Sequence, residues 1–208
     1  MPTVRRTPCL TLASFVLITV ATGQVSRANA THSFSLLAPA LPAPNRQTAR
    51  TALDKAQAKA KAWHADAVLI EVSTDVDDKG TADNNADIPS LGWAYTFRSP
   101  SAKKRLQINV SAEGLSTVDS DFGPFDDPHN PMYVKPLPAT FVDSDKVIAE
   151  AVSHGPAGKT KKYTVDLSNM HREDVSESVC WTVADDSGTF FTISATSGKF
   201  LSKVSVGH

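Results

Sequence analysis

Apolar and polar positions alternate in several short stretches, as is typical of strands that bury one face of an antiparallel sheet. In the first half of the chain, the alternation predicts strands at residues 67–73, 91–98, 105–111 and 115–118. In the second half, it predicts strands at residues 163–167, 179–183, 190–195 and 200–206. The predicted strands therefore fall into two groups of four.

Two other stretches carry apolar residues at spacings of three and four, which predicts amphipathic helices. The first covers residues 46–63, with Asn45 as its N-terminal cap. The second covers residues 144–154, with Asp143 as its cap. Each predicted helix precedes one group of strands, so each half has the elements to pack a helix on the apolar face of a sheet.

The second half of the sequence repeats the first. Residues 104–112 (KRLQINVSA) correspond to residues 189–195 (TFFTISA), and a tryptophan strand precedes each copy, with Trp93 in one and Trp181 in the other. A repeat of this kind indicates that one small unit was duplicated. The predicted fold class is therefore α+β, with two tandem units, each a helix packed on a small antiparallel sheet.

The first thirty residues have the pattern of a secretory signal peptide. Arg5 and Arg6 give a positive start, residues 10–21 form an apolar run, and residues 28–30 (Ala-Asn-Ala) form a cleavage site, so we expect the mature chain to begin at Thr31. The apolar run is shorter than the roughly 20 residues that a membrane span needs. We therefore predict a periplasmic or secreted protein without a stable membrane anchor.

The rest of the chain divides into four predicted segments. They are a Pro/Ala-rich leader at residues 31–45, a first unit at 46–119, a Pro-rich linker at 120–141 and a second unit at 142–208. Prolines at alternate positions prevent the leader from forming the backbone hydrogen bonds of a helix or a sheet. The prolines of the linker separate the two repeats.

The net charge of the mature chain argues against a nucleic-acid partner, and its cysteine content leaves one thiol to interpret. Three arginines leave with the signal peptide and no acid does, so 18 basic residues face 22 acidic ones in the mature chain, a net charge of −4. Such a chain is a poor nucleic-acid binder. Cys180 is then the only cysteine, and we interpret it as a small buried apolar residue. A reactive thiol or an intermolecular bridge is the alternative.

An acidic loop from Asp75 to Asp87 has part of the pattern of a calcium loop, with acids at its first, third and ninth positions and Gly80 at its sixth. Its fifth position is Lys79, and its twelfth is Ala86, where a bidentate glutamate is required. We interpret the stretch as a solvated hairpin loop. Binding of a small ligand or of calcium through this loop is the alternative.

Other chemistry finds less support in the sequence. The histidines are widely spaced, and the cluster of residues 126–129 (Asp-Asp-Pro-His) falls in the linker, where we interpret it as a polar connection. There is no Gly-x-Ser-x-Gly motif, and the Gly-Lys-Thr at residues 158–160 does not follow a strand. We therefore predict no catalytic residue, no metal site and no cofactor, while the ligand-binding residues stay unknown.

Trp93, Tyr95 and Phe97 share one face of a predicted strand. We interpret them as part of the core beneath the first helix, since aromatic stripes at strand spacing are usually buried. A face on which a ligand stacks is the alternative.

The strand–turn–strand at residues 191–200 (FTISATSGKF), with its earlier copy at residues 108–115 (INVSAEGL), resembles the PepSY domain of exported bacterial proteins. That family has a helix, an antiparallel sheet and a final apolar-x-apolar-Asp-Ala-x-x-Gly-x-apolar motif. Here Ser111 and Ser194 stand at the aspartate position. The resemblance covers most of residues 46–118 and 142–206.

The resemblance implies a non-catalytic module that binds a partner, as in peptidase propeptides and regulators of cell-wall hydrolases. We therefore expect an exported binding module with a protein partner in the envelope or the extracellular space. It would inhibit or regulate a peptidase or a cell-wall enzyme. The sequence leaves the oligomeric state open.

Overall fold

The computed structural model describes residues 46–82, 92–111, 114–130, 133–155, 161–169 and 177–206. The predicted signal peptide and leader lie outside these ranges. The elements in chain order are α1 (Ala49–Trp63), β1 (Val68–Asp77), β2 (Trp93–Ser99), β3 (Lys104–Ser111), β4 (Gly114–Asp121), a 3-10 helix (Pro124–Asp126), α2 (Ser144–Ser153), β5 (Lys162–Ser168), β6 (Cys180–Asp185), β7 (Thr189–Ser194) and β8 (Phe200–Ser205).

The eight strands form one continuous antiparallel sheet with the order β4-β3-β2-β1-β5-β6-β7-β8. Within each half, each strand pairs with the next one in sequence. The halves meet where β1 pairs with β5, over seven residue pairs from Glu71 with Ser168 to Asp77 with Lys162. The first strand of each half therefore lies at the centre of the sheet, and the last strand lies at an edge.

The prediction of two tandem units, each with its own small sheet, is wrong, because the structure has a single sheet that both halves share. In separate sheets, β1 and β5 would each be an edge strand with a row of unpaired backbone groups. Pairing them satisfies those groups and removes two edges. Alternation along the sequence predicts that a segment is a strand, but it does not say which strand lies beside it.

One face of the sheet packs against the two helices and forms the core. Trp93 and Tyr95 are fully buried there and Phe97 is 2% exposed, as predicted for core residues. The rings of Trp93 and Trp181 meet edge to face, with centroids 6.5 Å apart, so one aromatic contact joins the two halves. The core is continuous across the β1–β5 pair.

The repeat extends to individual hydrogen bonds. The indole Nε1 of Trp93 donates to the carbonyl oxygen of Gln47 at 2.7 Å, two residues before α1 begins. The indole Nε1 of Trp181 donates to the carbonyl oxygen of Val142 at 2.9 Å, two residues before α2 begins. A buried indole needs an acceptor, and in each half it fixes the entry of the chain into the helix.

The N-termini of the two helices are capped together. Asp143 caps α2 as predicted, since its carboxylate accepts from the backbone nitrogen of Ser144 at 2.9 Å. The same carboxylate accepts from the backbone nitrogen of Arg50 at 3.0 Å and from the hydroxyl of Thr48 at 2.7 Å. One aspartate of the second half thus satisfies groups at the starts of both helices.

The predicted start of α1 is corrected by the same contacts. The helix begins at Ala49 instead of residue 46, and the predicted cap Asn45 lies outside the described residues. The backbone nitrogen of Ala49 donates to the hydroxyl of Ser144 at 3.1 Å, and that hydroxyl donates to the carbonyl oxygen of Gly80 at 2.6 Å. A Cβ at Gly80 would lie 2.3 Å from the carbonyl oxygen of Ser144, so this position requires glycine.

The shared cap gives a test of how the halves are joined. We expect Asp143→Ala to lower the free energy of unfolding by about 2 kcal/mol, because it removes a cap of α2 and the contacts to α1 together. Asp145→Ala is the matched control, since the exposed Asp145 carboxylate bonds only to the next backbone nitrogen, that of Lys146, among the described contacts. Urea unfolding measures both variants, and equal effects would contradict a special role for Asp143.

Candidate functional site

The face of the sheet opposite the helices carries polar side chains in both halves, with an apolar row of Ala184, Phe190 and Val204 towards one end of β6 to β8, and we call it the polar face. Its clearest feature is a row of paired residues that crosses all eight strands, which we call the central row. From β4 to β8, the central row is Ser116, Asn109, Ala94, Ser73, Asp166, Thr182, Thr192 and Ser202. Seven of the eight side chains carry a polar group. Thr192 is fully buried, and the other residues of the row are partly or largely exposed, so the row presents polar groups to water from β4 to β6.

Two carboxylates lie at the centre of the polar face. Glu71 of β1 is paired with Ser168, and Asp166 of β5 is paired with Ser73, so the two acids are diagonal neighbours across the junction between the halves. The Asp166 carboxylate accepts from the hydroxyl of Ser168 at 2.6 Å. Both side chains are partly buried, which places negative charge where water solvates it poorly.

Burial raises the pKa of both groups. For Glu71, loss of solvation is the main cause of the raised pKa, the nearby Asp166 raises it further, and Arg105 and a hydrogen bond from Thr96 oppose the change. For Asp166, loss of solvation raises the pKa and the hydrogen bond from Ser168 opposes it. The anionic forms of these groups are therefore less stable than those of ordinary surface carboxylates.

A shallow depression of about 210 Å³ lies beside Glu71 on the half of the polar face formed by β1 to β4. Thr96 of β2 and Gln107 of β3 line it, and Arg105 lies at one side. Gln107 is exposed while Glu71 and Thr96 are half-buried, so the depression is open to solvent. The depression has the lining of a polar contact surface.

One corner of the polar face is covered by a buried ion cluster. The Asp126 carboxylate is fully buried and accepts from the Arg105 Nε at 2.7 and 2.9 Å. Arg98, which is 1% exposed, places its Nη1 3.5 Å from the same carboxylate. The Arg98 guanidinium also lies 4.4 Å from the ring centre of Tyr133 and donates to its hydroxyl. These contacts hold the chain between β4 and α2 against the sheet.

The cluster changes the interpretation of the predicted linker. Residues 120 and 121 belong to β4, and Asp126, which we took as part of a polar connection, is an internal counter-ion for two arginines. Asp127 and His129 beside it are exposed, so residues 126–129 do not converge on one site. The sequence pattern did not separate Asp126 from Asp127, because both are aspartates in a proline-rich stretch.

A pair of adjacent substitutions tests this assignment. We expect Asp126→Asn to lower the free energy of unfolding by about 3–5 kcal/mol, because it leaves the buried charge of Arg98 without its counter-ion. Asp127→Asn should change it by less than about 0.5 kcal/mol, as is usual for an exposed side chain. Urea unfolding of the two variants measures the difference. Similar values for both would contradict a structural role for the cluster.

The acidic loop from Asp75 to Asp87 is described only to residue 82, so Asp87 lies outside the described residues. Its first residues belong to β1, and their carboxylates have protein partners. Asp75 accepts from the hydroxyl of Thr164 at 2.7 Å. Asp77 accepts from the backbone nitrogen of Thr81 at 3.0 Å and forms an ion pair with Arg46 at 3.0 Å. These bonds and the positive charge of Arg46 lower the pKa of Asp77 against the effect of burial.

Asp78, the third acid of that loop, forms an ion pair with Lys161 at 3.0 Å. Among the described residues, no three His, Cys, Asp or Glu side chains group together as a metal site would require. The acids within the described part of the loop thus act in turn formation and ion pairing.

Cys180, the one cysteine of the predicted mature chain, lies in β6. It is buried, as we predicted, and its sulfur is 3.5 Å from the carbonyl oxygen of Glu177.

The sequence did not predict the acids at the centre of the polar face. Glu71 and Asp166 occupy the outward positions of predicted strands, where charged residues are ordinary. Polar residues do occupy the outward positions of nearly every predicted strand. This pattern indicates a polar face, but it does not show which residues of different strands lie side by side on it. Only the β1–β5 pairing brings the two acids together.

Comparisons with known proteins add little to this geometry. No protein-family model matches the chain, and no curated protein matches it. A search of solved structures finds a "putative lipoprotein" from Clostridium difficile 630 at 12% identity, with a TM-score of 0.47, over 73% of this chain and 91% of that chain. Within the described ranges, neither helix has the length and apolar character needed to cross a bilayer.

The raised pKa of Glu71 predicts a pH effect on stability. Because the folded protein holds the Glu71 proton more tightly than the unfolded chain, this group should lower stability as pH rises above its ordinary pKa of 4.5. We expect Glu71→Gln to remove that loss, so that the variant gains stability relative to the natural protein as pH increases from about 4.5. Urea unfolding across pH measures the difference between the two profiles.

Asp54→Asn is the control for this experiment, because Asp54 is an exposed carboxylate on α1, away from the polar face. Stability profiles of Glu71→Gln and the natural protein that stay parallel across pH would show that Glu71 is not destabilised by its surroundings.

Proposed function

We propose that the chain is an exported, non-catalytic binding module that inhibits or regulates a peptidase or a cell-wall enzyme through its polar face. The observation that carries the proposal is the central row, a line of polar side chains on an eight-stranded sheet whose opposite face packs against helices. Side chains that a sheet holds in order lose less freedom on binding than those of a flexible loop, which favours specific recognition.

The composition of the face suits a protein partner better than a small molecule. Small-molecule sites are usually enclosed and mostly apolar, with a few polar groups. The depression beside Glu71 is shallow and open, and hydroxyl and amide groups extend away from it along the strands. Protein interfaces of standard size use about 800 Å² of each partner, so a protein partner would contact several strands of the face and not the depression alone.

Export to a periplasm or the extracellular space is part of the same proposal. It rests on the charged, apolar and small-residue pattern of residues 1–30. The enzymes that we propose as partners act in these compartments. Inhibition requires only that the bound module cover the enzyme's site, so it needs no catalytic group on this chain.

An affinity capture followed by an activity assay tests the proposal. Residues 31–208 carrying a tag would be incubated with envelope extract and culture supernatant of the source organism, and retained proteins identified by mass spectrometry. We expect a peptidase or wall hydrolase to be enriched over a tagged control protein of similar charge. Adding the purified module should then reduce that enzyme's activity in proportion to the fraction bound.

The proposal fails if no envelope or extracellular protein is retained above the control. It also fails in its regulatory part if a captured enzyme keeps full activity at saturating concentrations of the module.

A further inference from the structure

We propose that the edge strand β8 pairs with β8 of a second copy of this chain, so that two copies form one continuous antiparallel sheet. The inference goes beyond the proposed function, which concerns the polar face. Its basis is an open strand edge, an apolar row that ends at this edge, and a register in which two copies of β8 complement each other.

The first observation is the open edge. β8 is the last strand on its side of the sheet, and no described strand pairs with its outer side. Lys203, Val204 and Ser205 are all exposed, although they alternate between the two faces. The backbone nitrogen of Val206 donates to the carbonyl oxygen of Gly188 on the inner side. Inward backbone groups belong to every second residue of an antiparallel strand, so those of Lys203 and Ser205 point outward. Such an edge is a template for another strand.

The second observation is the apolar row of the polar face, which ends at this edge. Ala184 of β6, Phe190 of β7 and Val204 of β8 lie side by side in it. Val204 is 43% exposed, and Val206, two residues further along the same face, is 57% exposed. A neighbouring strand with apolar side chains at the matching positions would remove part of this surface from water.

The two edges of the sheet differ in charge. Every residue of β4 is exposed, and two of them are aspartates, Asp119 and Asp121. Charged side chains on an edge strand oppose pairing with another strand. β8 and the Val206 that follows it contain no acid, and their one charged residue is Lys203. The Lys203 amine donates to the carbonyl oxygen of Gly155 at 2.8 Å, which holds its charge at the end of α2. β8 is therefore the edge with less protection against pairing.

One register suits two antiparallel copies of β8 about a twofold axis. If Val204 lies opposite Val204 of the second copy, Lys203 of each copy lies opposite Ser205 of the other, and the outward backbone groups of both strands meet. The two valines then form the kind of pair in which side chains approach most closely. The apolar row continues through them to Phe190 of the second copy.

Charge selects this register. From residue 202 to residue 206, no charged side chain lies opposite one of the same sign. A register with Lys203 opposite Lys203 would bring like charges together, which is unfavourable in a strand pair. The strand is thus complementary to itself, and this self-complementarity makes a second copy the occupant.

Sedimentation equilibrium of residues 31–208 tests the inference. The paired segment is short, so we expect a weak dimer whose fraction rises as the concentration increases from about 1 μM to about 1 mM. Val204→Lys should raise the dissociation constant at least about tenfold, because it places two lysines opposite each other.

Val118→Lys is the matched control. Val118 is 58% exposed and lies on the polar face of β4, so the variant adds the same charge to an exposed valine of the other edge strand. It should change the dissociation constant by less than about twofold.

A cysteine at the centre of the register tests the geometry even if the lysine variant does not fold. Val204→Cys should form a disulfide between two copies under mild oxidation, because Cα atoms in such a pair lie about 4.5 Å apart, within the range of a disulfide. Val118→Cys should give little cross-linked product under the same conditions. The natural Cys180 is buried. Gel electrophoresis without reductant measures the cross-linked fraction.

Three outcomes would overturn the inference. The first is a natural chain that stays monomeric up to about 1 mM. The second is a dimer that Val204→Lys leaves intact, or that Val118→Lys disrupts instead. The third is equal cross-linking of Val204→Cys and Val118→Cys, which would indicate random collision and no defined contact at β8.

Discussion

Seven residue pairs between β1 and β5 hold the two halves of the chain in one sheet. Without this pairing, each half would leave its first strand as an open edge and its core would end at that strand. With it, Trp93 of one half contacts Trp181 of the other, and the core continues beneath both helices. The shared cap at Asp143 depends on the same arrangement, because only joined halves bring the starts of α1 and α2 together.

The same pairing creates the polar face. Outward positions of four short strands would give each half a small polar surface, whereas eight strands in register give a row that runs from Ser116 to Ser202. Glu71 and Asp166 lie at the junction, where strands on both sides reduce their contact with water. The raised pKa of each acid is thus a consequence of how the halves are joined. The proposed binding surface and the stability of the sheet have one structural origin.

The chain between β4 and α2 shows how a connection becomes part of the fold. Asp126 is the shared counter-ion of Arg98 and Arg105 on the sheet, and Tyr133 covers the Arg98 guanidinium. Burying such a cluster has a large desolvation cost, which the ion pairs and hydrogen bonds offset. The segment fixes one corner of the polar face, and its cluster of two arginines and one aspartate keeps a net positive charge close to Glu71.

Local patterns in the sequence were enough to predict the strands, the helices and their repetition. Alternation located all eight strands, three-and-four spacing located both helices, and the repeated tryptophan strands marked Trp93 and Trp181, which make equivalent hydrogen bonds in the two halves. These features depend on contacts within a few residues or on burial of one face. The folded chain was needed to show that the halves share a sheet and that α1 is capped from the second half. It was needed also to show that Asp126 is a counter-ion and that Glu71 lies beside Asp166. Each of these joins residues far apart in sequence, and periodicity along a chain carries no information about which distant segments become neighbours.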